Sequence, residues 1–416
     1  MINPRIRKNI NSLYSWYLPI VIAAKIVRWT VMFEKLVAMS IGNGMIDRMA
    51  NGTYSTLRVA GMEASSGANI CENNCGWLFD HLNVFGINTL LGWEIFITVV
   101  FNIMLISVII DFYKSTPTAG KWENFFIYLG IAILNIFCFN LSKEPYQMLF
   151  FFLMAWGIKK GKDYKGKALW LSVAIFLTVL LARKYYALVL FYFFLINFLV
   201  RNLFENIDFN SKDGIKKLIK NSILTACLMG VAYLFVVSYF ASANEEAYQG
   251  MVIANYRSTI TKFVSDSEIS PIFSSQNPLL MSMDYTIKIF RLLFPVELLL
   301  KGKVTYIFLI GFQFLLVYFI AQAFKRNQDL EDEDEDEDEE EAESTEEEMD
   351  EDDEDEELDE DEKEARRRAV VERQLTRRCA LYLYLAFLLC SAAFEPDFGS
   401  WIRHQGVTLP VLLLIL

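Results

Sequence analysis

Apolar residues recur along the chain in runs that approach the length needed to cross a lipid bilayer. A bilayer core takes about 20 apolar residues in helical form, and such runs with few charges are typical of transmembrane helices. The pattern predicts an all-α, polytopic integral membrane protein with about ten transmembrane helices. The expected spans are residues 14–33, 89–112, 124–141, 146–158, 168–182, 185–200, 222–242, 304–324, 379–393 and 407–416.

Lysine and arginine are concentrated in five segments that precede, follow or connect these spans. The segments are "MINPRIRKN", "KSTPTAGK", "KKGKDYKGK", "SKDGIKKLIKN" and "FKRNQ". Short cytoplasmic segments of membrane proteins carry an excess of these two residues. With ten spans and a cytoplasmic N-terminus, all five fall on the cytoplasmic side. We therefore expect a multi-pass protein of the cell inner or plasma membrane, with its N-terminus in the cytoplasm.

The charge of the chain is divided unevenly. The formal net charge is -12, but residues 329–364 hold 29 acidic residues and one lysine. Without that tract, 22 acidic residues stand against 38 lysines and arginines. The acidic tract has too few apolar residues to fold and should be disordered. The basic remainder suits a protein that handles anionic lipids or phosphorylated substrates, and no nucleic-acid partner is expected.

These patterns divide the chain into three parts. Residues 1–328 are expected to form a membrane domain, with external loops at 34–88 and 243–303. Residues 329–378 are expected to be an acidic, disordered cytoplasmic loop. Residues 379–416 carry the final membrane segments and the external stretch "EPDFGSWIRH".

Motifs of soluble enzymes are missing from the sequence. It contains no Walker A loop, no dinucleotide-binding glycine pattern, no HExxH and no GxSxG. ATP-driven transport and nucleotide-sugar chemistry are therefore disfavoured, and we expect neither a cofactor nor a metal. Cys71 and Cys75, in "CENNC", have only His81 nearby, whereas zinc takes four ligands. A local disulfide between these two cysteines stays an open alternative.

Several charged residues lie at the external ends of the expected spans. Charges within a membrane are costly and tend to pair or to line a cavity, so we expect these residues to meet. Arginine forks bind the oxygens of a pyrophosphate bidentately, and a nearby carboxylate or imidazole can take a proton from a hydroxyl nucleophile. These properties match glycosyl transfer from a lipid-linked pyrophosphate donor. The residues are Lys143, Glu144, Arg183, Lys184, Glu395, Asp397, Arg403 and His404.

The stretch "MDYTIKIFRLLFPVELLLKGK" predicts an amphipathic helix at the membrane surface. Its apolar residues recur at helical spacing, whereas Lys288 and Arg291 fall on another face. Pro295 is expected to bend or end this helix.

Four stretches carry a resemblance to a known family: "NLSKEPYQMLFFFLMAWGIKKG", "LLARKYYALVLFYFFL", "IKIFRLLFPVELL" and "FEPDFGSWIRHQGVTLPVLLLI". The first contains an SK(D/E) helix start, the second an arginine at the head of a span, and the third an interfacial Phe/Arg/Pro segment. The fourth places Gly399, Arg403 and Pro410 close to a G-x-x-x-R-x-x-x-x-x-P pattern, with one extra spacing residue. These features resemble the Wzy-type polysaccharide polymerases of O-antigen and capsule loci. The acidic insertion departs from that pattern.

The resemblance implies a polymerase of the undecaprenyl-pyrophosphate pathway, with its active site outside the cytoplasm. The growing glycan on one lipid pyrophosphate would be transferred to a sugar hydroxyl of a new repeat unit. Its partners would be the undecaprenyl-pyrophosphate-linked glycan and membrane lipids, together with a chain-length regulator and a flippase.

The resemblance also implies roles for the charged residues. Arg183 and Arg403 would hold the leaving pyrophosphate, with Lys143 in support. Glu144, Glu395 or His404 would serve as the base. Asp397 would orient Arg403, and Arg291 would contact a lipid phosphate.

Three other functions remain as alternatives. A flippase or other transporter of lipid-linked sugars would need ionisable residues within the spans. Most ionisable residues here lie at span ends, and Lys25, Arg28 and Glu94 are the exceptions. A glycosyltransferase that uses a polyprenyl-phosphate sugar is the second alternative. A non-catalytic scaffold built around the acidic tract is the third.

Overall fold

The regular elements in the described part of this computed structural model are all helices. The described residues are 3–31, 81, 84–87, 90–116, 118–140, 142–183, 185–203, 211–243, 268–273, 277–301, 306–322, 357–395 and 397–416. The helices are α1 (Pro4–Val31), α2 (Leu90–Ser115), α3 (Lys121–Ile133), α4 (Lys143–Lys160), α5 (Tyr164–Leu181), α6 (Tyr186–Leu203), α7 (Lys212–Ala243), α8 (Pro278–Leu293), α9 (Val296–Leu300), α10 (Tyr306–Gln322), α11 (Glu357–Phe394), α12 (Phe398–Gly406) and α13 (Leu409–Ile415).

Five of these helices are long and apolar enough to cross a membrane: α1, α2, α5, α7 and α11. Two shorter apolar helices lie within α6 and α10. Helices suit a bilayer because each satisfies its backbone hydrogen bonds internally. The all-helical prediction is confirmed for the described part of the chain, and the long apolar helices are consistent with a membrane protein. The total of ten spans and the orientation stay predictions.

Helix α11 forms the centre of the bundle. In its most apolar window, 83% of the residues are buried, against 33% or fewer in the other four long helices. It packs against α6, α8 and α13, and also against α4 and α5. The outer helices keep large apolar side chains exposed, such as Ile103 and Phe198. This arrangement is expected where lipid surrounds a bundle, because lipid removes the need to hide apolar surface.

Helix α11 begins earlier than the apolar pattern indicated. Residues 357–378 belong to the loop predicted to be disordered, yet they are helical and continuous with the apolar part of α11. The segment "EARRRAVVERQLTRR" is rich in good helix formers and places Glu364 four positions before Arg368. The acidic residues before Glu357 lie outside the described residues.

The last predicted span, 407–416, is the seven-residue helix α13. Almost all of its side chains are buried, and it packs against α2, α4 and α11. This segment therefore fills the interior of the bundle.

Three of the five basic segments come together at one end of the bundle. Asn9, near the start of α1, donates from Nδ2 to the Ala119 carbonyl at 3.1 Å. Lys159 pairs with Asp111, and Lys167 donates from Nζ to Thr376 Oγ1 at 2.9 Å. These contacts bring the start of α1, the α2–α3 and α4–α5 connections, and the polar part of α11 to the same side. We refer to this side as the basic end.

A π-helical turn, Leu134–Cys138, continues α3 at the opposite end. The Phe139 amide donates to the Leu134 carbonyl at 2.8 Å, which is a bond across five residues instead of four. A π turn leaves carbonyl groups without their usual α-helical donors. Two carbonyls, one within this turn and one directly after it, accept side-chain hydrogen bonds in the candidate site.

Candidate functional site

Buried and half-buried charged residues gather at the end of the bundle opposite the basic end. They come from the last turns of α1 and α12, the first turns of α2 and α4, helix α8, and the segments before α6 and α12. We call this set the charged layer. It comprises Lys25, Arg28, Glu94, Lys143, Glu144, Arg183, Lys288, Glu395, Asp397, Arg403 and His404.

The first pair of the layer joins Glu144 to Arg403. Arg403 Nη1 donates to Glu144 Oε1 at 3.3 Å, and the Glu144 side chain is fully buried whereas that of Arg403 is 21% exposed. Glu144 lies in the first turn of α4, where the helix dipole favours a carboxylate. Arg403 also donates from Nε to the Gly399 carbonyl at 3.3 Å. The guanidinium therefore stays partly accessible while its carboxylate partner is held inside.

The second pair joins Glu395 to His404, with Glu395 Oε1 in short contact with His404 Nδ1. Burial raises the pKa of Glu395, but the nearby His404, the Ser400 hydroxyl and the charge of Arg183 outweigh it and lower the pKa to about 2. Glu395 is therefore ionised at neutral pH. Its contact with Nδ1 leaves Nε2 as the other ring nitrogen of His404.

Asp397 produces the turn that makes the second pair possible. Its carboxylate accepts a hydrogen bond from the Ser400 amide at 2.8 Å and so caps the start of α12. Helix α12 then carries Arg403 and His404 back over the end of α11. Asp397 thus caps the helix that carries Arg403, and its predicted role in orienting Arg403 stays a prediction.

Arg183 lies between α5 and α6 and is held by neutral groups. With the Gln147 amide turned so that its oxygen faces the guanidinium, that oxygen accepts from Arg183 Nε at 3.0 Å and from Nη2 at 3.1 Å. Arg183 Nη1 donates to the Tyr185 hydroxyl at 2.7 Å. These hydrogen bonds fix the plane of the guanidinium. Its field also lowers the pKa of Glu395, which places Arg183 beside the second pair.

Lys25, Arg28 and Glu94 form a third group that we did not assign as a site from the sequence. Glu94 Oε1 accepts from Lys25 Nζ at 3.0 Å and forms an ion pair with Arg28 Nε. Lys25 Nζ also donates to the Phe139 carbonyl at 2.7 Å, and Arg28 Nη1 donates to the Ile136 carbonyl at 2.8 Å. The Ile136 carbonyl lies within the π turn, and the Phe139 carbonyl directly follows it. The sequence signal was two cations three residues apart at the end of an apolar run.

The third group adjoins the first pair through Cys138. The Cys138 thiol donates to the Arg403 carbonyl at 3.5 Å, and Cys138 ends the π turn whose Ile136 carbonyl accepts from Arg28. The two groups are therefore neighbours within one charged layer.

Helix α8 contributes Lys288, whose side chain is buried. Burial lowers the pKa of Lys288 to about 8, although the charge of Glu395 acts in the opposite direction. Arg291, one turn further, pairs bidentately with Glu297, through Nε at 2.6 Å and Nη2 at 2.7 Å. Its Nη1 donates to the Ser270 carbonyl at 2.6 Å. The guanidinium of Arg291 thus braces the turn at Pro295, and its predicted contact with a lipid phosphate is not tested.

Most of the predicted site residues therefore come together, although their chemical roles are not tested by this geometry. Lys143 lies next to Glu144 and acts on it electrostatically. Lys184, Cys71 and Cys75 fall outside the described residues, and His81 is exposed. Within the described ranges, no three His, Cys, Asp or Glu residues are arranged to hold a metal ion.

The charged layer can bind an anion and move a proton. Its six lysines and arginines exceed its four carboxylates by two charges before His404 is counted, and most of the carboxylates are already paired. An anionic ligand that carries hydroxyl groups suits such a layer. The cations bind its negative charge, and the Glu395–His404 pair accepts a hydroxyl proton. Comparison of this chain with protein-family models, with curated proteins and with solved structures finds no match.

Proposed function

We propose that the chain polymerises oligosaccharide repeat units carried on undecaprenyl pyrophosphate, at the extracytoplasmic face of the membrane. The single observation that supports this most is the convergence of Arg183 and Arg403 with Glu395 and His404. These residues come from segments more than 200 positions apart, yet they form one half-buried layer.

In this proposal, the arginines receive the leaving group. A hydroxyl oxygen of the incoming sugar attacks the anomeric carbon of the growing glycan, and the bond from that carbon to the pyrophosphate oxygen breaks. The pyrophosphate keeps the electron pair of the broken bond, and Arg183 and Arg403 stabilise its charge. Lys143 and Lys288 add positive charge at the edge of the same layer.

The proton of the attacking hydroxyl goes to His404. The ionised Glu395 holds Nδ1, so Nε2 accepts the proton and the resulting imidazolium is stabilised by the carboxylate. Glu144 serves a different purpose because its Oε1 is bound by Arg403. It positions that guanidinium, whereas the base is the Glu395–His404 pair.

A second candidate is a flippase for lipid-linked sugars. Lys25, Arg28 and Glu94 lie within apolar helices, and a π turn interrupts α3 beside them. Charges and helix breaks of this kind are typical of transporters. The surface glycan of variant cells separates the two candidates.

The test is the length of surface glycan in cells that carry Arg403→Gln or Arg183→Gln, with membrane expression measured in parallel. The proposal predicts glycan reduced to a single repeat unit while the protein remains in the membrane. The matched control is Arg201→Gln, which changes an exposed arginine at the far end of α6 and should leave the polymer unchanged.

Two other results would be decisive against the proposal. Polymer of normal length in both variants would show that the arginines do not hold the leaving group. Loss of all surface glycan, including the single-unit form, would favour the flippase.

A further inference from the structure

We infer that Lys25, Arg28 and Glu94 form a second binding site, which takes the diphosphate-linked sugar of the acceptor lipid. We call it the α1 subsite. The inference rests on the proposed function, because joining two lipid-linked repeat units requires two diphosphates at one reaction centre. Arg183 and Arg403 serve the donor, and the α1 subsite serves the acceptor.

The charge of the α1 subsite calls for an anion. Lys25 and Arg28 share a single carboxylate oxygen of Glu94, so two positive charges stand against one negative charge. The remaining described hydrogen bonds of the two cations go to neutral carbonyls. A surplus charge at a buried position is costly unless a counter-ion compensates it. A diphosphate supplies that compensation.

The exposure of the three side chains indicates how a ligand would approach. Lys25 is 17% exposed, whereas Arg28 and Glu94 are 3% exposed. Lys25 is therefore the most accessible of the three side chains, and Arg28 and Glu94 lie further inside. A flexible ammonium at the mouth can meet a phosphate oxygen without displacing the ion pair behind it.

Two buried acceptor atoms at this position suit the sugar. Glu94 Oε2 and Asn140 Oδ1 accept no hydrogen bond from the described part of the chain. Asn140 directly follows Phe139, whose carbonyl accepts from Lys25. Buried acceptors without donors are costly, and the hydroxyl groups of a sugar are donors. A ligand that combines phosphate oxygens with hydroxyl groups satisfies both the cations and these acceptors.

The position of the α1 subsite fits a two-substrate reaction. The Arg28 guanidinium donates to the Ile136 carbonyl of the π turn, and the Arg403 backbone carbonyl accepts from the Cys138 thiol that ends the same turn. Each cationic group has its own carboxylate, Glu94 in one case and Glu144 in the other. The two groups are therefore neighbours with separate counter-ions, as a donor site and an acceptor site require.

The experiment counts bound copies of farnesyl pyrophosphate, a short polyprenyl diphosphate, on the purified full chain in phosphatidylcholine nanodiscs by native mass spectrometry. We expect two copies on the wild-type chain, one on Lys25→Gln and one on Arg403→Gln. The double variant Arg28→Gln/Glu94→Gln removes both charges of an ion pair and should also keep one copy. The lost site should bind at least about tenfold more weakly, as for one hydrogen bond to a charged group.

The control variant is Lys8→Gln, which changes an exposed lysine on the same helix at the basic end and should keep both copies. Farnesol serves as the ligand control, because it has the same tail without phosphate and should not bind to either site.

The outcomes separate the two proposals. A single copy that Arg403→Gln removes and Lys25→Gln retains would overturn the α1 subsite and leave the proposed function standing. A copy lost only in Lys25→Gln would support the α1 subsite and count against Arg403 as the donor site. Binding that neither variant changes, or no binding at all, would overturn both.

Discussion

The Glu144–Arg403 pair allows a quantitative test of the charged layer. Arg403→Gln removes the cation and leaves Glu144 fully buried without its partner. Breaking a buried ion pair in this way costs about 3–5 kcal/mol. Arg403 is 21% exposed, so water can replace part of its contribution, and we expect about 3 kcal/mol, near the lower limit.

This free energy predicts a modest shift in unfolding temperature. The entropy of unfolding is about 2.1 cal/mol/K per residue, so each 1 kcal/mol lowers the midpoint of a chain of this size by about 1 °C. Arg403→Gln should therefore unfold about 3 °C below the wild-type chain. The double variant Arg403→Gln/Glu144→Gln removes both charges of this pair, so it should recover most of that loss.

The assay is a double-mutant cycle, measured by thermal unfolding of the purified protein in detergent micelles. Arg201→Gln is the control and should change the stability by less than about 0.5 kcal/mol, because its side chain is exposed. Equal destabilisation of the single variant Arg403→Gln and the double variant would refute this explanation, because the buried charge of Glu144 could not then be the cause.

Other contacts give three more predictions. Gly161→Ala should lower the unfolding temperature strongly, because a Cβ there would overlap the Lys167 amide nitrogen, whereas Gly311→Ala meets nothing within 4 Å and should not. The lowered pKa of Glu395 predicts stability that is full above its ordinary value near 4.5 and declines as the pH falls toward 2, and unfolding measured against pH should lose that decline in Glu395→Gln. Lys167→Met removes a buried amine that donates to the Gly161 carbonyl at 2.7 Å and to Thr376 Oγ1 on α11 at 2.9 Å. The polar part of α11 should then be held less firmly, so trypsin should cut after the arginines of residues 366–378 faster. An unchanged cleavage rate would show that Lys167 does not hold α11.

The apolar pattern predicts the existence of the helices better than their ends. Helix α7 begins at Lys212, ten residues before the predicted span at 222, because the intervening lysines and apolar residues are compatible with a helix. A polar helix extension and a loop have similar composition. Hydropathy marks where a chain becomes apolar, which is a different position from where its helix starts.

Much of the charged layer was predictable because its residues interrupt apolar runs. Glu144, Arg183, Glu395, Arg403 and His404 all lie at the ends of expected spans, and they do lie in one layer. Their roles stay predictions. The partners that fix them, such as the Gln147 amide of Arg183, carry no comparable signal in the sequence, since a polar residue in an apolar run has many possible neighbours.

The third group, Lys25, Arg28 and Glu94, could not be predicted from the sequence. Arg28 and Glu94 are 66 positions apart, and nothing in either segment indicates the other. Lys25 and Arg28 interrupt an apolar run, which indicates no particular partner. Their hydrogen bonds to the Phe139 and Ile136 carbonyls depend on a π turn, and no residue pattern in "LNIFC" distinguishes that turn from an α-helix.

The π turn also makes this region sensitive to the deletion of a single residue. Its defining bond runs from the Phe139 amide to the Leu134 carbonyl, so the turn exists because one more residue is accommodated than an α-helix would take. Deleting any one residue of 134–138 would restore regular α-helical bonds, withdraw the carbonyls from Lys25 and Arg28, and rotate the preceding part of α3 by about 100° relative to the residues after the turn. A three-nucleotide deletion in the coding sequence of the turn would therefore dismantle the layer through the backbone alone, with every charged side chain still present.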